Sequence, residues 1–143
     1  MHEHLQEREK GDFMKMCSLF AAAIISFASP ALAADPIVGL YKTQPGDAGN
    51  FAHVEIYECD GAICGVIRKA FDGSGTELDS DTVGKRMIWA MQANGDGSYG
   101  DGKIWAPDRD KTYKSKMELS GSNLTVSGCV AFICRSQNWT KLK

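Results

Sequence analysis

Thr112-Tyr113-Lys114-Ser115-Lys116-Met117-Glu118-Leu119 alternates in character along its whole length. Tyr113, Ser115, Met117 and Leu119 fall on one side of an extended chain, and Thr112, Lys114, Lys116 and Glu118 on the other. Successive side chains of a strand point to opposite faces, so this is a strand with one dry and one wet face. Ser120-Gly121-Ser122-Asn123 comes next as a turn and leads into a second apolar run, Leu124–Cys129. Upstream, Pro107-Asp108 closes the run Ser98–Trp105.

The same grammar repeats in both directions. Ala52, Val54 and Ile56 alternate with His53, Glu55 and Tyr57, and Asp60-Gly61 then turns the chain into Ile63–Ala70. A longer loop runs through Asp72-Gly73-Ser74-Gly75 and Asp79-Ser80-Asp81. Met87–Gln92 reads as a strand closed by Asn94-Gly95-Asp96-Gly97, and Arg135–Leu142 as the last one. With Gly39–Thr43 at the start, about eight strands are joined by short connections, and no segment after residue 33 carries a long helical period. Fifteen glycines against four prolines fit that many tight turns. The expected fold is all-β, a small antiparallel up-and-down meander of about eight strands. Eight strands can close into a barrel or half-barrel, which removes exposed edges; an open sheet or sandwich is the alternative.

The 143 residues suffice for one domain. Met14-Lys15-Met16, the apolar run Cys17–Ala28, Ser29-Pro30 and Ala31-Leu32-Ala33 have the layout of a secretory signal peptide, cut between Ala33 and Ala34. The apolar run is shorter than the ~20 residues of a bilayer span. Met1–Phe13 is acidic, the wrong sign for a leader, and reads as a mis-called start ahead of Met14. The expected organisation is therefore 1–13 extraneous, 14–33 signal peptide, and 34–143 a single all-β domain without a membrane span. Localisation is expected to be periplasmic or secreted.

Cys17 would leave with the leader, and four cysteines remain: Cys59, Cys64, Cys129 and Cys134. An even count in an exported chain reads as two disulfides. Both neighbouring pairs have C-x4-C spacing, and a four-residue excursion at a hairpin tip sets its flanks opposite each other, Cα atoms about 4.5–5.5 Å apart. That favours Cys59–Cys64 and Cys129–Cys134, with cross-pairing between the hairpins still open. A redox site would need C-x-x-C, and a four-cysteine zinc site is disfavoured where thiols oxidise.

Net charge is −2, with no basic field to collect nucleic acid. His53 is the one histidine after residue 33, and its place on an alternating strand faces it to solvent. No metal cluster, cofactor motif or catalytic constellation is visible. Asn94, Asp96 and Ser98 imitate the start of a calcium loop, but Tyr99 and Trp105 stand where glycine and glutamate are required; Asp79 and Asp81 place Gly84 correctly, but Val83 and Ala90 fail as ligands. These are Asx-type turns, and an enzyme is not expected.

The aromatics Tyr41, Trp89, Tyr99, Trp105, Tyr113 and Trp139 are spread over the strands, Tyr99 and Trp105 sharing one. Converging inside a barrel, they would line a site for a small apolar or amphiphilic molecule; otherwise they simply fill a small core. Arg135, Lys85-Arg86, Lys114 and Lys116 would rim an opening for an anionic head group, or form an ordinary solvated face.

Four segments in order carry a family resemblance: Gly39–Thr43 (GLYKT), Cys59–Gly65 (CDGAICG), Gly102–Tyr113 (GKIWAPDRDKTY) and Gly128–Thr140 (GCVAFICRSQNWT). Together they resemble the bacterial exported family catalogued as domain of unknown function 2147. Members usually open G-x-W-K-T, an opening like that of lipocalin-like barrels, and Tyr41 stands here where the tryptophan would. Members also usually carry a glycine before the Lys-Thr-Tyr segment, where this chain has Arg109-Asp110. The resemblance implies a small periplasmic β-protein and carries no established activity. Two functions stand as expectations: a periplasmic binding protein with a lipocalin-like barrel, or an envelope interaction module with a filled core.

Overall fold

A computed structural model describes residues 23–30 and 33–143. The chain divides into two compact units, one ending at Leu32 and one running from Ala33 to Lys143. In the first, residues 23–30 form neither helix nor strand. The extraneous-start reading of Met1–Phe13 and most of the leader, Cys17 included, fall outside the described residues.

The second unit is built from strands β1 (Gly39–Lys42), β2 (Phe51–Cys59), β3 (Ala62–Phe71), β4 (Glu77–Leu78), β5 (Arg86–Ala93), β6 (Ser98–Ala106), β7 (Lys111–Ser120), β8 (Asn123–Val130) and β9 (Ile133–Lys141). Neighbours run β2-β1-β9-β8-β7-β6-β5-β3, and β3 pairs back onto β2 along its length, so eight antiparallel strands form a closed ring. Closure excludes the open-sheet alternative. β4 adds two residues to β3 inside the stretch expected to be loop.

β7 keeps the alternation of its sequence: Ser115 and Met117 are buried, Tyr113 and Leu119 half-buried, and Lys114, Lys116 and Glu118 exposed. β5 and β6 do not alternate strictly. Ala90 and Asp101 take left-handed backbone angles (φ 56° and 58°), and the β6–β7 register shifts between Tyr99 and Gly102. An extra residue in a strand reverses the facing of the residues beyond it. Ile88 and Met91, three apart, are thus both buried, as are Tyr99 and Gly102.

The two ends of the barrel differ. At one end Tyr41, Ile56, Ile63, Met91, Tyr99, Met117, Leu124 and Trp139 are buried and fill the interior. A segment ahead of β1 straps this end. Ile37 is wholly buried, its carbonyl accepts a 2.8 Å hydrogen bond from the Tyr41 hydroxyl, and the Tyr99 hydroxyl donates to Asp35. Lys141 Nζ donates to the Pro36 carbonyl at 2.7 Å. Burial, with Asp35 adding to it, pushes the Tyr41 phenol up to about 12. Tyr99 is raised as well, by burial first and then by its bond to Asp35.

Cys59 pairs with Cys64 and Cys129 with Cys134, each within its own hairpin. Both turns are tighter than a four-residue excursion, because two residues make each reversal: Asp60-Gly61, both at positive φ, and Ala131-Phe132. Cys129 lies directly opposite Cys134, Cα atoms 4.0 Å apart. Cys59 faces Ala62 instead, so its bridge runs diagonally over 6.0 Å. The first bridge sits at the filled end and the second at the other.

Candidate functional site

The end opposite the strap is hollow. A cavity of about 800 Å³ opens there, bordered by the loop after β1, the segment between β3 and β5, the β6–β7 turn and the β8–β9 turn. Its depth is apolar: Ala52 on β2, Ile67 on β3, Ile104 on β6 and Val126 on β8. Gly128 on β8 keeps the wall low. A Cβ there would stand 3.5 Å from Ile104 and Tyr113, ordinary contact rather than collision. Trp139 lies under β9's share of the wall, its indole N–H donating to Gln137 Oε1 at 2.9 Å.

Polar residues border the cavity on several sides, with Ser80 and Thr82 between β3 and β5 and Asn50 ahead of β2. Arg135 and Gln137 lie two residues apart on β9, and both border the cavity. Gln44, just past β1, borders it too and accepts the Asn138 backbone N–H through Oε1 at 3.0 Å. Thr43 is buried, its hydroxyl accepting the Ala52 N–H. Asp47, Asp108 and Arg109 stand at the rim, with Arg109 3.8 Å from Asp108. The β8–β9 tip carries Val130, Phe132 and Ile133 exposed, and Val130 and Ile133 also line the mouth.

The six aromatics expected to converge do not. Tyr113 alone lines the cavity. Tyr41, Tyr99 and Trp139 pack the filled end. Trp89 and Trp105 come directly after inward-facing Ile88 and Ile104, so strand alternation turns both outward. Trp105 donates from its indole to Asp110 at 2.9 Å and lies 5.6 Å under the Lys85 ammonium. Of the basic residues expected at an opening, Arg135 lines it; Lys114 and Lys116 project outward from β7. Sequence reasoning missed the glutamines. Only their position on the strand leading to Trp139, and on the loop beside it, gave any signal.

His53 is on the outer face, as its alternation implied, but half covered. Its ring centroid lies 4.5 Å from that of Phe71, which stacks on Phe51 at 4.9 Å. Desolvation, then Lys69 and Lys42, lower its pKa. Asp72 and Asp96 are bound as turn caps by the hydroxyls and backbone of Ser74 and Ser98, which lower both carboxyls. Among the described residues, no group of three or more His, Cys, Asp or Glu is placed to hold a metal ion. Nor is any helix there long and apolar enough to cross a membrane.

Comparison with known proteins places this geometry. The family model described as "Uncharacterized protein conserved in bacteria (DUF2147)" matches residues 39–141. A solved structure of HP1028 from Helicobacter pylori, described as belonging to the lipocalin family, superposes with a TM-score of 0.62 at 16% identity. The match covers 78% of this chain and 85% of that one. It establishes a shared barrel fold. No curated protein matches the chain.

Proposed function

This chain belongs to the DUF2147 family of bacterial proteins, and from that premise and its half-open barrel we propose that it is an exported, non-catalytic protein binding one small, partly apolar molecule. The observation that carries the reading is the cavity itself. Eight-stranded barrels are just wide enough to fill or to hold one small ligand, and this one is filled at one end and hollow at the other. About 800 Å³, apolar in depth with polar groups nearer its mouth, is the usual size and composition of a small-molecule site. HP1028's membership of the lipocalin family agrees with it.

Export is part of the proposal, with a leader removed between Ala33 and Ala34. Two disulfides fit an oxidising compartment. Native mass spectrometry of the protein isolated from the periplasm tests both halves. A chain starting at Ala34, four hydrogens light, and carrying a bound small molecule is expected; a ligand-free chain that takes up no hydrophobic probe overturns the binding half. The exposed tip Val130-Ala131-Phe132-Ile133 favours a second reading, an envelope interaction module. Phe132→Ser separates them, since it leaves cavity binding intact and removes association through the tip.

A further inference from the structure

We propose that the molecule held in the cavity is an anionic amphiphile, its head group bound on the β9 wall by Arg135, Gln137 and Gln44; this rests on the binding function proposed above. The inference comes from which hydrogen-bonding roles are already taken. Gln137 Oε1 is occupied by the Trp139 indole N–H and Gln44 Oε1 by the Asn138 backbone N–H. Both partners can only donate, so each amide is oriented with its oxygen inward to the fold. Each glutamine still has both N–H donors of its NH2 group to offer, while its oxygen is already engaged once.

Arg135 also only donates. It makes no ion pair or side-chain hydrogen bond among the described residues. Its strand partner is Gly128, so no side chain at that position stands beside it on β8. The Tyr113 hydroxyl, likewise without a partner there, can donate as well. The β9 side of the cavity, with Tyr113 on β7 just beyond β8, therefore presents several uncommitted donors, complementary to a carboxylate, sulfonate or phosphate.

The ring order places the apolar half of the ligand. β3, β5 and β6 stand across the barrel from β9, and they present Ile67, Met87 and Ile104. A head group on β9 thus leaves its chain against the apolar wall. The rim carries the acids Asp47 and Asp108, and Arg109 lies 3.8 Å from Asp108.

Calorimetric titration of the oxidised protein at pH 8 with decanoate, 1-decanol and decylamine tests this. Decanoate is expected to bind about tenfold or more tightly than decanol, and decylammonium weakest, given what charged hydrogen bonds contribute. Arg135→Gln should lower decanoate affinity by about tenfold and decanol affinity by much less. The Arg135 side chain is exposed and unpaired, so the variant should keep the wild-type melting temperature. Equal affinity for decanoate and decanol, or no effect of R135Q, overturns the anion assignment while leaving a binding cavity. No binding of any of the three overturns the cavity as well.

Discussion

Two glycines show how differently the same residue type is used in this barrel. At Gly102 a Cβ would stand 2.9 Å from the Met91 Cα and 2.7 Å from its sulfur, inside the filled end. Backbone cannot yield as a flexible side chain can, so Gly102→Ala should cost about 1–3 kcal/mol, read from urea denaturation. Gly128→Ala, with only ordinary contacts, should change stability by less than about 1 kcal/mol. Equal losses at the two positions would contradict the division into a filled and a hollow end. The buried phenols give a second expectation. Tyr41 ionises near 10.0 when unfolded and about 12 when folded, so the folded state holds its proton more tightly. Its contribution is complete below pH 10 and is lost as pH rises from 10 towards 12, and Tyr99 shifts in the same direction. Urea midpoints should therefore fall across that window, and the absorbance titration of Tyr41 should lag that of exposed tyrosines. Midpoints flat from pH 9 to 12 would refute the burial of these hydroxyls.

The strands were the most legible elements. β7 could be read almost to the residue, because Lys114, Lys116 and Met117 obey a period of two without interruption. β5 and β6 were legible in extent but not in facing. Nothing in Ala90 or Asp101 announces a left-handed residue, since such positions usually take glycine or asparagine. Trp89 directly follows inward-facing Ile88, and the bulge at Asp101 puts Trp105 out of phase with Tyr99, so both indoles face outward. The β8–β9 hairpin shows a different limit: the cysteine pairing was inferable from spacing, whereas the two-residue turn is set by the register Val130 opposite Ile133. Removing that bridge with Cys129→Ser and Cys134→Ser should lower stability by about 2 kcal/mol, the amount expected for so short a loop. The far-UV spectrum should remain that of a β-protein, because the eight-stranded ring closes through β2 and β3 on the opposite side. Collapse of the spectrum on removing this one bridge would show that the ring does not hold without it.

For the whole molecule, closure was the natural answer to eight short strands and no covering helix, and the β2–β3 pairing supplies it. The hollow end was not legible, because no single residue encodes it. It results from an imbalance: Tyr41, Tyr99, Trp139, Met91 and Met117 crowd one end, while Ala52, Gly128 and Val126 leave the other underfilled. The donor wall was legible only in Arg135; the roles of Gln44 and Gln137 depend on what their oxygens touch. The most direct measurement is a fluorescence titration with N-phenyl-1-naphthylamine, a neutral apolar probe, on the wild type and on Gly128→Leu. Saturable one-to-one binding that Gly128→Leu weakens at least about tenfold is expected from a leucine placed in a site of this size. Absence of saturable binding, or binding unchanged by the leucine, would contradict a ligand cavity in this barrel.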